Sequence, residues 1–289
     1  MIISELKFLG LLSKKQANTR SCVIMKKIHN YIRRNKNIIL QFIKRETISR
    51  YKGSYLGFLW TILTPILMLL VYTFVFSEIF QAKWGSGSGN KLEFAIIVFC
   101  GLTTFNIFSE VIARSPSLVI NNANYVKKVV FPLEVFPLIA VGTALVNASI
   151  NYALLIVFYL IFMQSISWTI LLLPLALVPM VIFSVGLSWF LSSLGVYLRD
   201  IGHVIGIAVQ ALMLLSPILY PIDVIPDEFQ WFYQINPITY FVEDIRKVLV
   251  WGEVPDLGVY VVQLMAALII FIAGLVWFRK TKHGFADVL

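Results

Sequence analysis

Between Lys128 and Arg199 the chain carries one charged side chain, Glu134. About 20 apolar residues, rising 1.5 Å each, are enough to cross a bilayer core of roughly 30 Å. The interval is too long for one crossing and too apolar for a surface in water. It therefore reads as a hairpin of two membrane-spanning helices, turning at Gln164-Ser165-Ile166-Ser167.

The stretch from Arg45 to Phe80 shows how the chain enters the membrane. Lys44, Arg45, Arg50 and Lys52 form a basic, helix-compatible segment, Gly53 and Gly57 mark an elbow, and Phe58–Phe76 follow without a charge. Composition agrees: 59% of the 289 residues are hydrophobic and 13% are charged, against about 25% charged in soluble domains. A formal charge of +9 would point to nucleic acid in a soluble protein. Here 13 of the 24 lysines and arginines precede residue 53. That is the pattern of a cytoplasmic anchor facing membrane lipids, with no nucleic acid as partner.

The expected fold is all-α and polytopic, with six transmembrane helices near 57–78, 94–113, 133–162, 169–197, 202–220 and 258–278. With the N-terminus in the cytoplasm, inner segments hold 20 basic residues and outer segments 4, so the positive-inside rule puts both termini inside. Residues 1–52 are expected to form a cytoplasmic basic tail with an amphipathic interface helix. Residues 53–280 form the membrane domain and 281–289 a cytoplasmic tail. Ile39, Phe42 and Ile43 share one helical face, with Gln41, Lys44 and Arg45 opposite; this suggests a helix lying at the membrane surface, ahead of the alternative of a solvated basic tail. The apolar patch in residues 1–12 leads into Lys14, Lys15 and Arg20 rather than a cleavage site. Met25-Lys26-Lys27 offers an alternative start.

Catalytic chemistry is not legible. Cys22 and Cys100 lie in a basic tail and an apolar span, which suits neither a disulfide nor a metal site. Trp84-Gly-Ser-Gly-Ser-Gly-Asn-Lys91 fails the phosphate-loop spacing and lacks a hydroxyl after the lysine, so no ATP site is expected in this chain. Asn147-Ala148-Ser149 matches a glycosylation sequon but falls inside a span. Arg199, Asp200 and His203 suggest an ion pair capping a helix start rather than an acid–base set. Glu78 and Glu110 sit at span ends without a visible partner, which gives a proton pathway little support.

Three segments remain for function. The loop 114–131 has a short helix after Pro116 and a basic end; it is either a docking peg for another protein or a plain connection. The segment 220–257 is aromatic and broken by Pro221, Pro226, Pro237 and Pro255, giving short helices that could re-enter the outer leaflet when shielded by protein. Spans one and two carry rings rather than charges, among them Trp60, Tyr72, Phe76 and Phe105. Such rings suit the C–H faces of sugars, or belong to an ordinary aromatic belt.

Arg50 to Trp60 (RYKGSYLGFLW), Pro65 and Tyr72 to Phe76 (YTFVF) resemble the opening of permease subunits of type-two ABC exporters. The resemblance is nearest to the Wzm- and TagG-like permeases that export O-antigen, capsule or teichoic acid. Ser193 to Asp200 (SLGVYLRD), Ser216 to Pro221 (SPILYP) and Asn236 to Tyr240 (NPITY) agree in order. The likeness covers about residues 30–280. It implies a homodimeric permease in the bacterial inner membrane, served by two separate ATPase subunits that bind ATP and Mg. The substrate would be a polysaccharide on polyprenyl diphosphate. It further implies a coupling helix at Asn121, Asn122, Asn124, Tyr125 and Lys127, and outer gate helices bearing Trp231, Phe232, Tyr233 and Tyr240. Arg45, Arg50 and Lys52 are candidates for receiving the lipid diphosphate, or for anchoring to anionic lipid. A drug or small-lipid exporter, and a membrane glycosyl or acyl transferase, are the alternatives.

Overall fold

The computed structural model describes residues 34–50, 52, 55–75, 84, 91–127, 131–163 and 167–289, and every regular element among them is helical. In chain order α1 covers 34–50, α2 Trp60–Thr73, α3 Lys91–Arg114, α4 Ala123–Lys127 and α5 Val135–Met163. There follow α6 Leu173–Tyr197, α7 Ile201–Leu214, α8 Asp227–Ile235, α9 Pro237–Arg246, α10 Leu257–Thr281 and α11 Phe285–Val288.

Leu92–Ser117, Val135–Phe162, Trp168–Tyr197 and Leu257–Val288 are long and apolar enough to cross a bilayer. They fall where spans two, three, four and six are expected. At the places of spans one and five stand the shorter apolar helices α2 and α7, each of 14 residues, or about 21 Å at 1.5 Å per residue. α7 stops short of residue 220 because Pro217 lacks an N–H and clashes with the preceding turn. The hairpin turn expected at 164–167 lies outside the described residues except for Ser167, whose hydroxyl caps the helical turn that leads into α6.

The most buried of the four long apolar helices is α3, which packs against α2, α5, α6, α7 and α9. In lipid there is little hydrophobic drive to bring helices together, so close backbone approach matters more. α6 and α10 show this directly. A Cβ on Gly274 would lie 2.0 Å from the carbonyl oxygen of Gly186, and a Cβ on Gly186 would lie 2.6 Å from the backbone nitrogen of Phe271. Trp189 and Phe271 rings meet alongside, 4.9 Å apart. Gly274→Val is therefore expected to lower the thermal midpoint in detergent by several degrees. Gly258→Ala, whose nearest neighbour is its own cap at 3.1 Å, should shift it far less.

The ends of the spanning helices are tied to one another. Glu134, buried where α5 begins, pairs with Lys282 at 2.6 Å and lies 3.9 Å from Arg279 at the end of α10. Its carbonyl accepts from the Trp189 indole at 3.0 Å. The tail beyond Thr281 continues in helical turns, with Phe285 fully buried against Phe278 and Tyr197. At the other end of α10, Asp256 caps the helix. Hydrogen bonds from the backbone N–H groups of Val259 and Gly258 hold its carboxyl below the usual carboxylate range. Asp200 occupies the N-cap position of α7, but its side chain makes no capping bond, so the cap expected there does not form.

Candidate functional site

α1 folds as a helix with Ile39, Phe42 and Ile43 on one side, and that side packs against the core. Ile43 fills the space over Gly142 of α5, where an added Cβ would lie 2.2 Å from its Cδ1. The amphipathic face thus rests on the protein itself. Four charges stitch this contact. Arg114 of α3 meets Glu46 of α1 at 2.8 Å and Glu110 one turn back at 3.6 Å. Arg50 of α1 pairs with Glu110, which also accepts from Asn147 of α5 at 3.2 Å. Thr143 donates to Glu46 at 3.4 Å. Glu110, expected to stand without a partner, is the centre of this network. The sequence could not show the pair because Arg50 lies 60 residues away. Glu78 lies outside the described residues.

Above this charged belt a cleft of about 510 Å3 opens between α2, α3 and α5. Trp60, Tyr72 and Phe99 supply its rings, and Thr61, Thr64, Thr103, Asn106, Asn147 and Asn151 its polar side chains. Arg50 and Glu110 are the charged residues of its lining among the described ones. The oxygens Thr61 Oγ1, Thr103 Oγ1, Asn147 Oδ1 and Asn151 Oδ1 are sealed in the wall without a protein hydrogen-bond partner, although buried polar groups are normally paired. Of the ring residues singled out in the sequence, Trp60 and Tyr72 line this cleft. Phe105 does not: it is 2% exposed and packs in the core 6.2 Å from Phe108, because it faces into the bundle from α3. Phe76 lies outside the described residues. Arg45 stacks over the Phe42 ring at 4.3 Å, and Lys52 is exposed.

The connection from α3 to α5 is a compact element rather than a slack loop. The Ser115 hydroxyl lies 2.6 Å from that of Ser188 on α6. Pro116 sits so close to Gly195 that a Cβ there would be 2.1 Å from its carbonyl oxygen. Tyr125 points inward, its ring 4.8 Å from Phe131, 5.7 Å from Phe42 and 6.1 Å from Phe136. Asn121, Asn124 and Lys127 are exposed at successive three-residue steps, and Asn122 is half-buried, donating to Leu118 O. The element therefore presents one polar face and anchors itself by the other.

Residues 215–251 hold irregular backbone against helices, which apolar surroundings allow only where other protein groups satisfy the carbonyls. Asn236 caps α9 through Ile238 N and reaches Ser216 Oγ at 2.8 Å. Arg246 is fully buried. It donates to Pro217 O and Ile218 O at 2.7 Å each and to Ile97 O at 3.4 Å, pairs with Glu243 at 2.7 Å, and lies 4.3 Å from the Trp84 ring. Asp244 beside it accepts from Gln263 of α10 at 2.8 Å. Sequence reading counts Arg246 only as one of the four basic residues of the outer segments, on a short helix. The available signal was the apolar stripe Ile238, Phe241, Val242, Ile245, Val248 and Leu249, all buried. On the expected gate helices Tyr233 is buried, with its hydroxyl 3.0 Å from that of Tyr220, while Trp231 is exposed and Phe232 and Tyr240 half-buried.

A profile of the ABC-2 type transporter family matches residues 38–250. The chain is 26% identical over 254 residues to the O-antigen export system permease protein RfbA of Myxococcus xanthus, spanning 87% of this chain and 95% of that one. A Klebsiella pneumoniae protein of the same name is 27% identical over 260 residues, 88% and 95% of the two chains. The polysialic acid transport protein KpsM of Escherichia coli is 25% identical over 252 residues, 83% and 92%.

Proposed function

The chain belongs to the ABC-2 type transporter family, and from that premise we propose that it is the membrane subunit of a polysaccharide exporter in the bacterial inner membrane. The cargo is a polyprenyl-diphosphate-linked polymer, O-antigen in the first place, as the names of the relatives suggest. Two such subunits face each other across a conduit, with α2 and α7 completing six spans per subunit and both termini in the cytoplasm. A separate ATPase pair binds ATP and Mg. It docks on the polar face of Asn121, Asn124 and Lys127, while Tyr125 holds that face in place. α8 and α9 form the outer gate. Arg45 and Lys52 receive the lipid diphosphate, Arg50 being engaged with Glu110.

The observation that carries this reading is the cleft itself. It sets flat rings beside amides and hydroxyls, and sugar units present C–H faces rimmed by hydroxyl groups. Trp60→Ala with Tyr72→Ala is expected to cut surface polymer at least tenfold while the ATPase still co-purifies. Undiminished export by that variant would remove the conduit from the cleft. Capsule export is the second reading, favoured by the match to the polysialic acid transport protein. The polymer that accumulates inside cells lacking this chain decides between them.

A further inference from the structure

We propose that the cleft between α2, α3 and α5 selects a neutral, hydroxyl-rich glycan over a polyanionic one, an inference that rests on the export reading above. Among the described residues, the charges of the cleft lining and of the ion pairs joined to it are two arginines and two glutamates. Arg50 and Arg114 meet Glu110, and Arg114 meets Glu46, so the belt is neutral. Every other polar group of the described lining is an uncharged amide or hydroxyl.

A polymer carrying a carboxylate on each unit would lose hydration in this cleft, and the one cation among its described lining residues, Arg50, is already paired with Glu110. It would also face the Glu110 carboxylate of the lining, which only accepts. A sugar hydroxyl donates and accepts in turn, so it suits threonine hydroxyls and asparagine amides equally. The four unpaired oxygens behind the wall belong to residues that line the cleft, and a side-chain rotation turns each toward a bound sugar. Leaving such atoms without partners costs stability, which the passing polymer would restore unit by unit.

The test uses the full-length protein in lipid nanodiscs at physiological salt. Titration calorimetry compares a neutral hexose hexamer with a hexamer of sialic acid. The neutral probe is expected to bind at least tenfold more tightly. Equal or tighter binding of the acidic probe overturns the selectivity and leaves the glycan conduit standing. Binding of neither overturns both. Glu110→Gln leaves the belt with a net positive charge and should bring the two affinities toward each other; an unchanged ratio counts against the charge argument. Asn151→Leu should weaken the neutral probe about tenfold with a thermal midpoint equal to or above that of the parent, since a buried unpaired oxygen is removed. Unchanged affinity in that variant takes the amide wall out of the site.

Discussion

Arg246→Met will destabilise the protein by about 3 kcal/mol or more, because buried acceptors left without a donor cost about 1–3 kcal/mol each and Arg246 serves three backbone carbonyls. Methionine fills similar space with no donor, so the loss is electrostatic rather than a cavity. The carbonyls of Pro217 and Ile218 lie where α7 has ended and no helix can use them. Asn236 holds neighbouring positions on the same stretch and cannot reach both. Arg246→Lys should fail nearly as badly, since one ammonium cannot span the fork that the guanidinium covers. The α3 surface allows for that fork: a Cβ at Gly101 would lie 2.6 Å from Arg246 Nη2. Lys247→Met is the control, because the Lys247 side chain is only half-buried. The measurement is thermal unfolding in detergent, read beside binding of the partner ATPase. A midpoint for Arg246→Met equal to that of Lys247→Met would show that the clamp carries no load.

The contrast between Arg246 and Glu134 shows what could be read in advance. Hydropathy placed spans two, three, four and six correctly, because a run of uncharged residues long enough for the bilayer has few other fates. The short helical element after Pro116 and the short helices between Pro226 and Val250 were likewise visible, since proline and asparagine punctuate the chain there. Periodicity reports that a face is apolar and leaves open what covers it. Hence Ile39, Phe42 and Ile43 read as a lipid-facing stripe and in fact seat on α5 and an aromatic cluster. Hence Phe105 read as a conduit ring and is core. Ion pairs such as Arg50 with Glu110, or Glu134 with Lys282, join residues far apart in the chain, and nothing local announces them. In the cleft, Trp60 and Tyr72 were foreseeable as rings. The amide wall was not, because Asn147 read only as part of a sequon inside a span and nothing local singles out Asn151.

Gly195→Val will separate ATP hydrolysis from export. The valine side chain has nowhere to go: its Cβ alone would fall 2.1 Å from the carbonyl oxygen of Pro116 and 2.7 Å from its Cα. Backbone cannot swing aside as a flexible side chain can, so the 115–127 element must lift from α6. Overpacking of this kind costs about 1–3 kcal/mol, which a bundle of this size tolerates. The geometry is altered more than the fold. Lifting Pro116 strains the Ser115 contact with Ser188, and through Tyr125 it loosens the ring cluster that joins α1, the element and α5. The exposed face of Asn121, Asn124 and Lys127 would remain available, so the proposed ATPase still binds, but its push no longer reaches α6. Export should fall at least tenfold while co-purified ATPase activity stays within twofold of the parent. Gly206→Ala is the matched control, since no atom lies within 4 Å of its added Cβ and alanine favours the helix by about 1 kcal/mol. It should export normally. If Gly195→Val exports as well as Gly206→Ala, the seat of Pro116 on α6 does not transmit the stroke.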